Sequence, residues 1–184
     1  MPLQKTQLVE LKRKYKREKL MGMVCKICRY DELTRDELYD IIQMRIEGFI
    51  VKNKCIYQDM ETYYDQCGVY VMIWENGVMT NSWQMCDRKV FVGKDGKEYR
   101  YPAWRRQVVK EGYKAPGYPL AVDLTRKASE LLTGLPYFMC EVFDKKMSDA
   151  MIKVAGSGRY INEYYDDAER YNYVCVVDNE ITSK

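Results

Sequence analysis

The chain of 184 residues contains no histidine. That excludes Ser-His-Asp and Cys-His nucleophiles, histidine-ligated zinc and the commonest general base at neutral pH. It also lacks a long apolar run. The longest unbroken one, Val69–Trp74, is six residues, against roughly 20 for a helix that crosses a bilayer. No membrane association is expected. Neither an internal repeat nor a low-complexity stretch is present, and proline is scarce, at five residues. What is abundant is apolar and aromatic: 47% and 13% of the chain, with seventeen tyrosines and eleven methionines. A wholly disordered chain is thereby excluded, and the length suits one domain with a short appendage.

The net charge of +3 hides an asymmetry. Residues 1–22 hold seven Lys or Arg against Glu10 and Glu18, so the arm is at +5 and the remaining chain at −2. Lys12, Arg13, Lys14, Lys16 and Arg17 are its densest run. Such an arm can contact nucleic acid through its phosphates, or it can be a solvated terminal helix. It has no apolar core and no small-residue cleavage site, so it does not read as a secretory signal. The seven cysteines then read as reduced thiols of a cytoplasmic protein. Cys25 and Cys28 form a single C-x-x-C within an alternating, strand-like string. A structural zinc site would need two more ligands with no histidine to help, and no metal is expected.

Along the chain, 24–30 reads as a strand. Thr34-Arg35-Asp36-Glu37 is a capping box ahead of Leu38, Ile41, Ile42 and Arg45 at helical spacing. Gly48–Val51 reads as extended or loop. Val69–Trp74 is a strand, Asn76-Gly77 a hairpin turn, and Val78–Cys86 the returning strand. A second hairpin turns at Asp95-Gly96 between Lys89–Val92 and Glu98–Tyr101, and Trp104–Val109 is a further strand. A loop, Gly112–Pro119, precedes a helix with Pro119 near its first position and Leu120, Leu124, Ala128, Leu131 and Leu132 on one face. A strand over Tyr137–Phe143, a helix capped by Ser148 and a hairpin over Tyr160–Tyr165 and Tyr171–Val177 complete the chain. The order predicts a mixed α/β (α+β) domain with a largely antiparallel sheet. The loop before the long helix presents amides and a positive dipole end, which suits a phosphate. The paired tyrosines Tyr63-Tyr64, Tyr164-Tyr165 and Tyr171/Tyr173 suit half-buried sheet positions, base stacking or a protein interface.

The strings Tyr30-Asp31-Glu32-Leu33-Thr34, Arg45-Ile46-Glu47-Gly48-Phe49-Ile50-Val51 and Cys55-Ile56-Tyr57-Gln58-Asp59 resemble the GNAT N-acetyltransferase superfamily, nearest its ElaA-like branch. Residues 24–177 can be laid on that family, with 86–103 as an inserted hairpin and the basic arm, 1–22, outside the domain of 23–184. The resemblance implies two parallel strands that splay to admit acetyl-coenzyme A, whose diphosphate is held by backbone amides before the long helix. Carried over, that site comprises Val108, Val109, Lys114, Ala115, Gly117 and Tyr118. Candidate proton carriers are Glu111, Tyr160 and Tyr164, and the acceptor is an amine.

The loop Lys114-Ala115-Pro116-Gly117-Tyr118-Pro119 departs from the family pattern, because Pro119 stands where the pattern has Gly or Ala and Pro116 lies inside the turn. Proline has no N–H, so two donors are missing, each worth roughly 1.5–3 kcal/mol in a charge-assisted bond. Lys52-Asn53 replaces a Glu-Gln, Gln66-Cys67-Gly68 replaces a histidine, and Ile152-Lys153 stands where a thiolate-protonating tyrosine is usual. Two readings follow. One is an N-acyltransferase using acetyl-coenzyme A. The other is a catalytically inactive GNAT-fold protein working with protein partners or as a homo-oligomer, such as a viral assembly or regulatory component carried within the particle. Nucleic-acid contact through the arm is compatible with both.

Overall fold

The computed structural model describes residues 22–178, apart from 56, 167 and 168 and the side chains of 87–89. The basic run Lys12–Arg17 lies outside the described residues. In chain order the elements are β1 (Met23–Arg29), α1 (Arg35–Arg45), α2 (Thr62–Gln66), β2 (Val69–Glu75), β3 (Val78–Val92), β4 (Glu98–Val109), α3 (Tyr118–Thr133), β5 (Phe138–Val142), α4 (Lys145–Ala155), β6 (Gly158–Tyr165) and β7 (Tyr171–Val177). The strands form one mixed sheet in the order β1-β2-β3-β4-β5-β7-β6. By contacts the chain divides into two compact units. One takes in the chain up to Gln84 with Arg106–Pro116, the other Met85–Arg105 with the chain from Gly117 onward. Among the described residues, no helix is long and apolar enough to cross a membrane.

In the first unit, β1 pairs antiparallel with β2, from Met23 opposite Glu75 to Arg29 opposite Val69. Cys25 and Cys28 are buried in this pairing, and burial pushes both thiols up to about 11. The capping box forms as the sequence predicts: Glu37 N donates to Thr34 Oγ1 at 3.1 Å, and Thr34 N donates to Glu37 Oε2 at 2.9 Å. Asn76 (φ 52°) and Gly77 (φ 83°) close the β2–β3 hairpin in the left-handed geometry an Asn-Gly turn supplies. Cys28, Ile41, Met44, Tyr70, Met72 and Val108 form the core of this unit. The methionines there fill irregular gaps between strand and helix side chains.

Gly48–Val51 is not extended. It lies in a π-helical continuation of α1 over Ile46–Lys52. Gly48 is what permits this, since a Cβ there would meet Val108 Cγ2 at 2.9 Å. The wider turn lets the helix end lie against β4.

In the second unit, β5 pairs parallel with β4 at Ala103↔Met139 and Trp104↔Cys140, and antiparallel with β7. Glu98–Tyr101 and Trp104–Val109 are one strand that runs through Pro102 rather than two. Helix α4 begins three residues before the expected Ser148. Its cap is Asp144, whose Oδ1 accepts from Lys146 N at 2.9 Å, while Ser148 Oγ donates back to Lys145 O at 2.9 Å inside the helix. Helix α3 starts at Tyr118, so Pro119 is its second residue, and it ends at left-handed Gly134 (φ 80°).

Candidate functional site

The loop between β4 and α3 is tied down from β3. Lys110 N donates to Thr80 O at 2.8 Å, and Asn81 Nδ2 donates to Lys114 O at 3.3 Å. Gly112 (φ 82°) turns the chain, and Tyr113 N donates back to Lys110 O at 3.1 Å. At the start of α3, Gly117 is the N-cap and its carbonyl accepts from Ala121 N at 3.1 Å. No side chain caps this helix and no acid sits in its first turn. By contrast α1 has the Thr34 cap with Asp36 and Glu37, and α4 has the Asp144 cap. Pro119 contributes no N–H, so the amides of Tyr118 and Leu120 remain as first-turn donors at the positive end of the helix dipole.

The structure distributes the sequence-derived candidates as follows. Val108 is buried in the first unit's core and Val109 is half-buried beside it in the chain. Lys114, Ala115, Gly117 and Tyr118 are exposed along the loop and helix start, and so is Glu111. Tyr160 and Tyr164 lie on β6 in the second unit. The Tyr160 hydroxyl donates to Asp149 Oδ1 at 2.6 Å and lies 2.6 Å from Ser148 Oγ. Burial, then the Asp149 carboxylate, pushes its phenol up to about 12. Tyr164 OH donates to Glu141 Oε2 at 3.3 Å, and burial beside that carboxylate takes it to about 12 as well.

Sequence reasoning missed a buried ionic network in the first unit. Arg45, 2% exposed, donates through Nε to Asp59 Oδ2 at 2.7 Å, through Nη2 to Asp59 O at 2.7 Å and through Nη1 to Asp65 Oδ1 at 3.1 Å. Burial works against the Arg45 charge and is outweighed by the two carboxylates. Arg106 joins the network: Nη2 donates to Asp59 O and to Glu61 Oε2, both at 3.2 Å. Its guanidinium lies 4.7 Å from the centre of the Tyr57 ring. Arg106 also has φ 55° in the middle of β4, a left-handed conformation costly for a residue with a Cβ. These contacts hold it there, two residues beyond the Trp104↔Cys140 pair where the parallel ladder with β5 ends. The strings Arg45–Val51 and Cys55–Asp59 thus contain two halves of one ion pair. Their spacing, fourteen residues, has no helical or strand period to betray it.

The second unit contains a concavity of about 560 Å³ between the β3–β4 turn and β6. Each of its cations already faces a carboxylate: Lys94 pairs with Glu163, Lys97 with Asp95 at 3.9 Å, Lys145 with Asp149 at 3.2 Å and Arg159 with Asp178 at 2.6 Å. The β3–β4 hairpin is pinned to β6 by Lys94 N→Ile161 O at 2.8 Å and Asn162 Nδ2→Val92 O at 2.9 Å. Among the described residues, no group of three acids or cysteines could hold a metal.

The structure is similar to Escherichia coli ElaA, with a TM-score of 0.62 over 85% of this chain and 99% of that one, at 15% identity. It is also similar to an acyl-CoA N-acyltransferase from Pseudomonas aeruginosa, at 0.66 over 85% and 99%, with 18% identity. The fold is that of the GNAT acyltransferases. A CoA-dependent acyl-homoserine lactone synthase, solved with SAM and isopentyl-CoA, shares this GNAT fold at a TM-score of 0.60, covering 87% of this chain and 86% of its own at 11% identity. No protein-family model and no curated protein sequence matches the chain. Within the GNAT fold, the β4–α3 loop and the start of α3 are the segment the sequence resemblance marks for coenzyme A.

Proposed function

We propose that the chain is an N-acyltransferase of GNAT lineage that binds acetyl-coenzyme A at the β4–α3 loop and transfers the acyl group from sulfur to an amine nitrogen, which gives up a proton as coenzyme A leaves as its thiol. The observation that carries this reading is the start of α3. It is a sixteen-residue helix with no capping side chain and no first-turn acid, a dipole end left for an anion on a fold shared with coenzyme A-dependent enzymes. The donor set fits a diphosphate in charge: Lys114 brings a cation, and Gly117, Tyr118 and Leu120 bring amides, while Pro116 and Pro119 bring none. The thioester supplies the activated acyl group. The chain's part is to fix the diphosphate end so that the thioester is held for attack, which turns an encounter of two molecules into a reaction within one complex. Both candidate tyrosines spend their hydroxyl hydrogen on a carboxylate. The reading therefore assigns them no transfer step.

Calorimetric titration with acetyl-coenzyme A tests the proposal. A dissociation constant near 1 μM, about −8 kcal/mol, is expected. Gly117→Pro should weaken it at least about tenfold: Gly117 has φ −57°, which proline accepts, so the substitution removes one N–H and little else. No heat at millimolar ligand would sink the reading. The two prolines specifically favour the second reading, a GNAT scaffold without catalysis. That reading predicts no coenzyme A binding together with a stable homo-oligomer or partner complex in light scattering.

A further inference from the structure

Asn81 sits on β3 at 1% exposure, between Thr80 and Ser82, which are buried as well. Its Nδ2 donates to Thr80 Oγ1 at 3.0 Å and to the main-chain oxygen of Lys114 at 3.3 Å. Its Oδ1 is buried without a hydrogen-bond partner. The amide cannot be turned over, because that would set Oδ1 against the Lys114 carbonyl, two acceptors face to face. An apolar residue of similar volume would fill the same space and leave no buried oxygen unpaired. Packing alone therefore does not account for an asparagine here.

The Lys114–Ala115 peptide is trans, as are all those described. In a trans peptide the N–H points opposite to the C=O. Holding the Lys114 carbonyl towards β3 therefore turns the Ala115 N–H away from it, and Ala115 is exposed. We propose that Asn81 is a positioning residue for the coenzyme-binding loop. It fixes the Lys114–Ala115 peptide plane so that the Ala115 N–H is presented as a donor to the diphosphate. The inference rests on the reading of this loop given above. It gains weight from the two prolines, which leave the loop few donors, so that the aim of each remaining one matters. The neighbouring Lys110 N→Thr80 O bond makes the anchor two-point, on consecutive β3 residues.

The test compares wild type, Asn81→Asp and Asn81→Leu. Aspartate keeps the shape and loses the donor; leucine keeps the branching and heavy-atom count and loses both polar atoms. Calorimetry should give each variant about tenfold weaker binding of coenzyme A, the scale of one charge-assisted hydrogen bond. Binding of pantetheine, which lacks the diphosphate, should be unchanged. In an Ala115→Pro background, which removes the donor itself, Asn81→Asp should cost less than twofold further. In the wild type alone, the Ala115 amide resonance should move downfield and its hydrogen exchange slow when coenzyme A is added. That measurement decides the matter even if both variants fail to fold. Unchanged coenzyme A affinity in a folded variant overturns the inference, as does an equal loss for coenzyme A and pantetheine, or an Ala115 amide indifferent to coenzyme A. A wild type that binds no coenzyme A at millimolar concentration overturns the functional reading and this inference together.

Discussion

Arg45 is the centre of the buried ion network in the first unit. It is buried with Asp59 and Asp65, and three of its donors are spent on them. Removing Arg45 takes the shared cation from two carboxylates in a poorly solvated place, leaving Asp59 to Arg106 and Asp65 to the Glu61 amide and Gln84. Arg45→Leu is therefore expected to cost about 3–5 kcal/mol in urea unfolding. Asp59→Asn should cost less, because its carbonyl oxygens can still accept. A second residue-scale effect concerns acid. Burial would raise the Glu37 carboxyl, but Lys26 Nζ at 2.7 Å and the Thr34 amide outweigh it and hold it below its ordinary value of 4.5. A carboxyl depressed in the folded state stabilises above its unfolded pKa and ceases to as pH falls through its folded one. Stability should thus decline as pH drops below about 4.5, and Glu37→Gln should flatten that part of the profile in thermal unfolding.

At the scale of the element, the π-helical end of α1 depends on the absence of a Cβ at Gly48. A methyl group there would meet Val108 Cγ2 at 2.9 Å. Gly48→Ala should cost about 1–3 kcal/mol through overpacking, and Val108→Ala in the same chain should recover part of it, measured as a double-mutant cycle. Gly77 poses a different constraint: nothing lies within 4 Å of a Cβ there, but φ is 83°. Gly77→Ala should therefore cost about 1–2 kcal/mol through backbone strain alone. These two glycines look alike in the sequence. One is needed for space and the other for conformation.

At the scale of the whole molecule, ligand and thiol chemistry report on the fold as a unit. Under the proposed function, acetyl-coenzyme A at a hundred times its dissociation constant should stabilise the protein by about 2.7 kcal/mol, seen as a rise in melting temperature. Of the seven cysteines, Cys25, Cys28, Cys86, Cys140 and Cys175 are buried and Cys67 is exposed. Brief alkylation of the native protein should mark Cys67 first and spare the buried five until the chain unfolds, read by peptide mass spectrometry. Cys140 and Cys175 face each other across β5 and β7 with sulfurs 3.0 Å apart, so their protection should be lost together.

Local chemistry was legible in the sequence wherever the physics is local. The Thr34–Glu37 box, the Asn76-Gly77 turn and the amphipathic run from Leu120 each specify an element locally and each element formed where expected, although the run's buried face stops at Ala128 and Ser129 and Leu131 is exposed. The mixed α/β order came from such local patterns along the chain, and the GNAT resemblance from the strings 30–34, 45–51 and 55–59. Tertiary structure decided the rest. Gly48–Val51 became helical where Gly48 lies against Val108 of β4, and Pro102 stayed inside a strand whose next two residues pair with β5. Thr80, Asn81 and Ser82 lie buried although strand alternation would expose the middle one or the outer two. Arg45 finds Asp59, and Asn81 finds Lys114 thirty-three residues away, across distances that no periodicity encodes. Such partners are fixed only when the chain has folded, because a hydrogen bond depends on position in space and the sequence records only order along the chain.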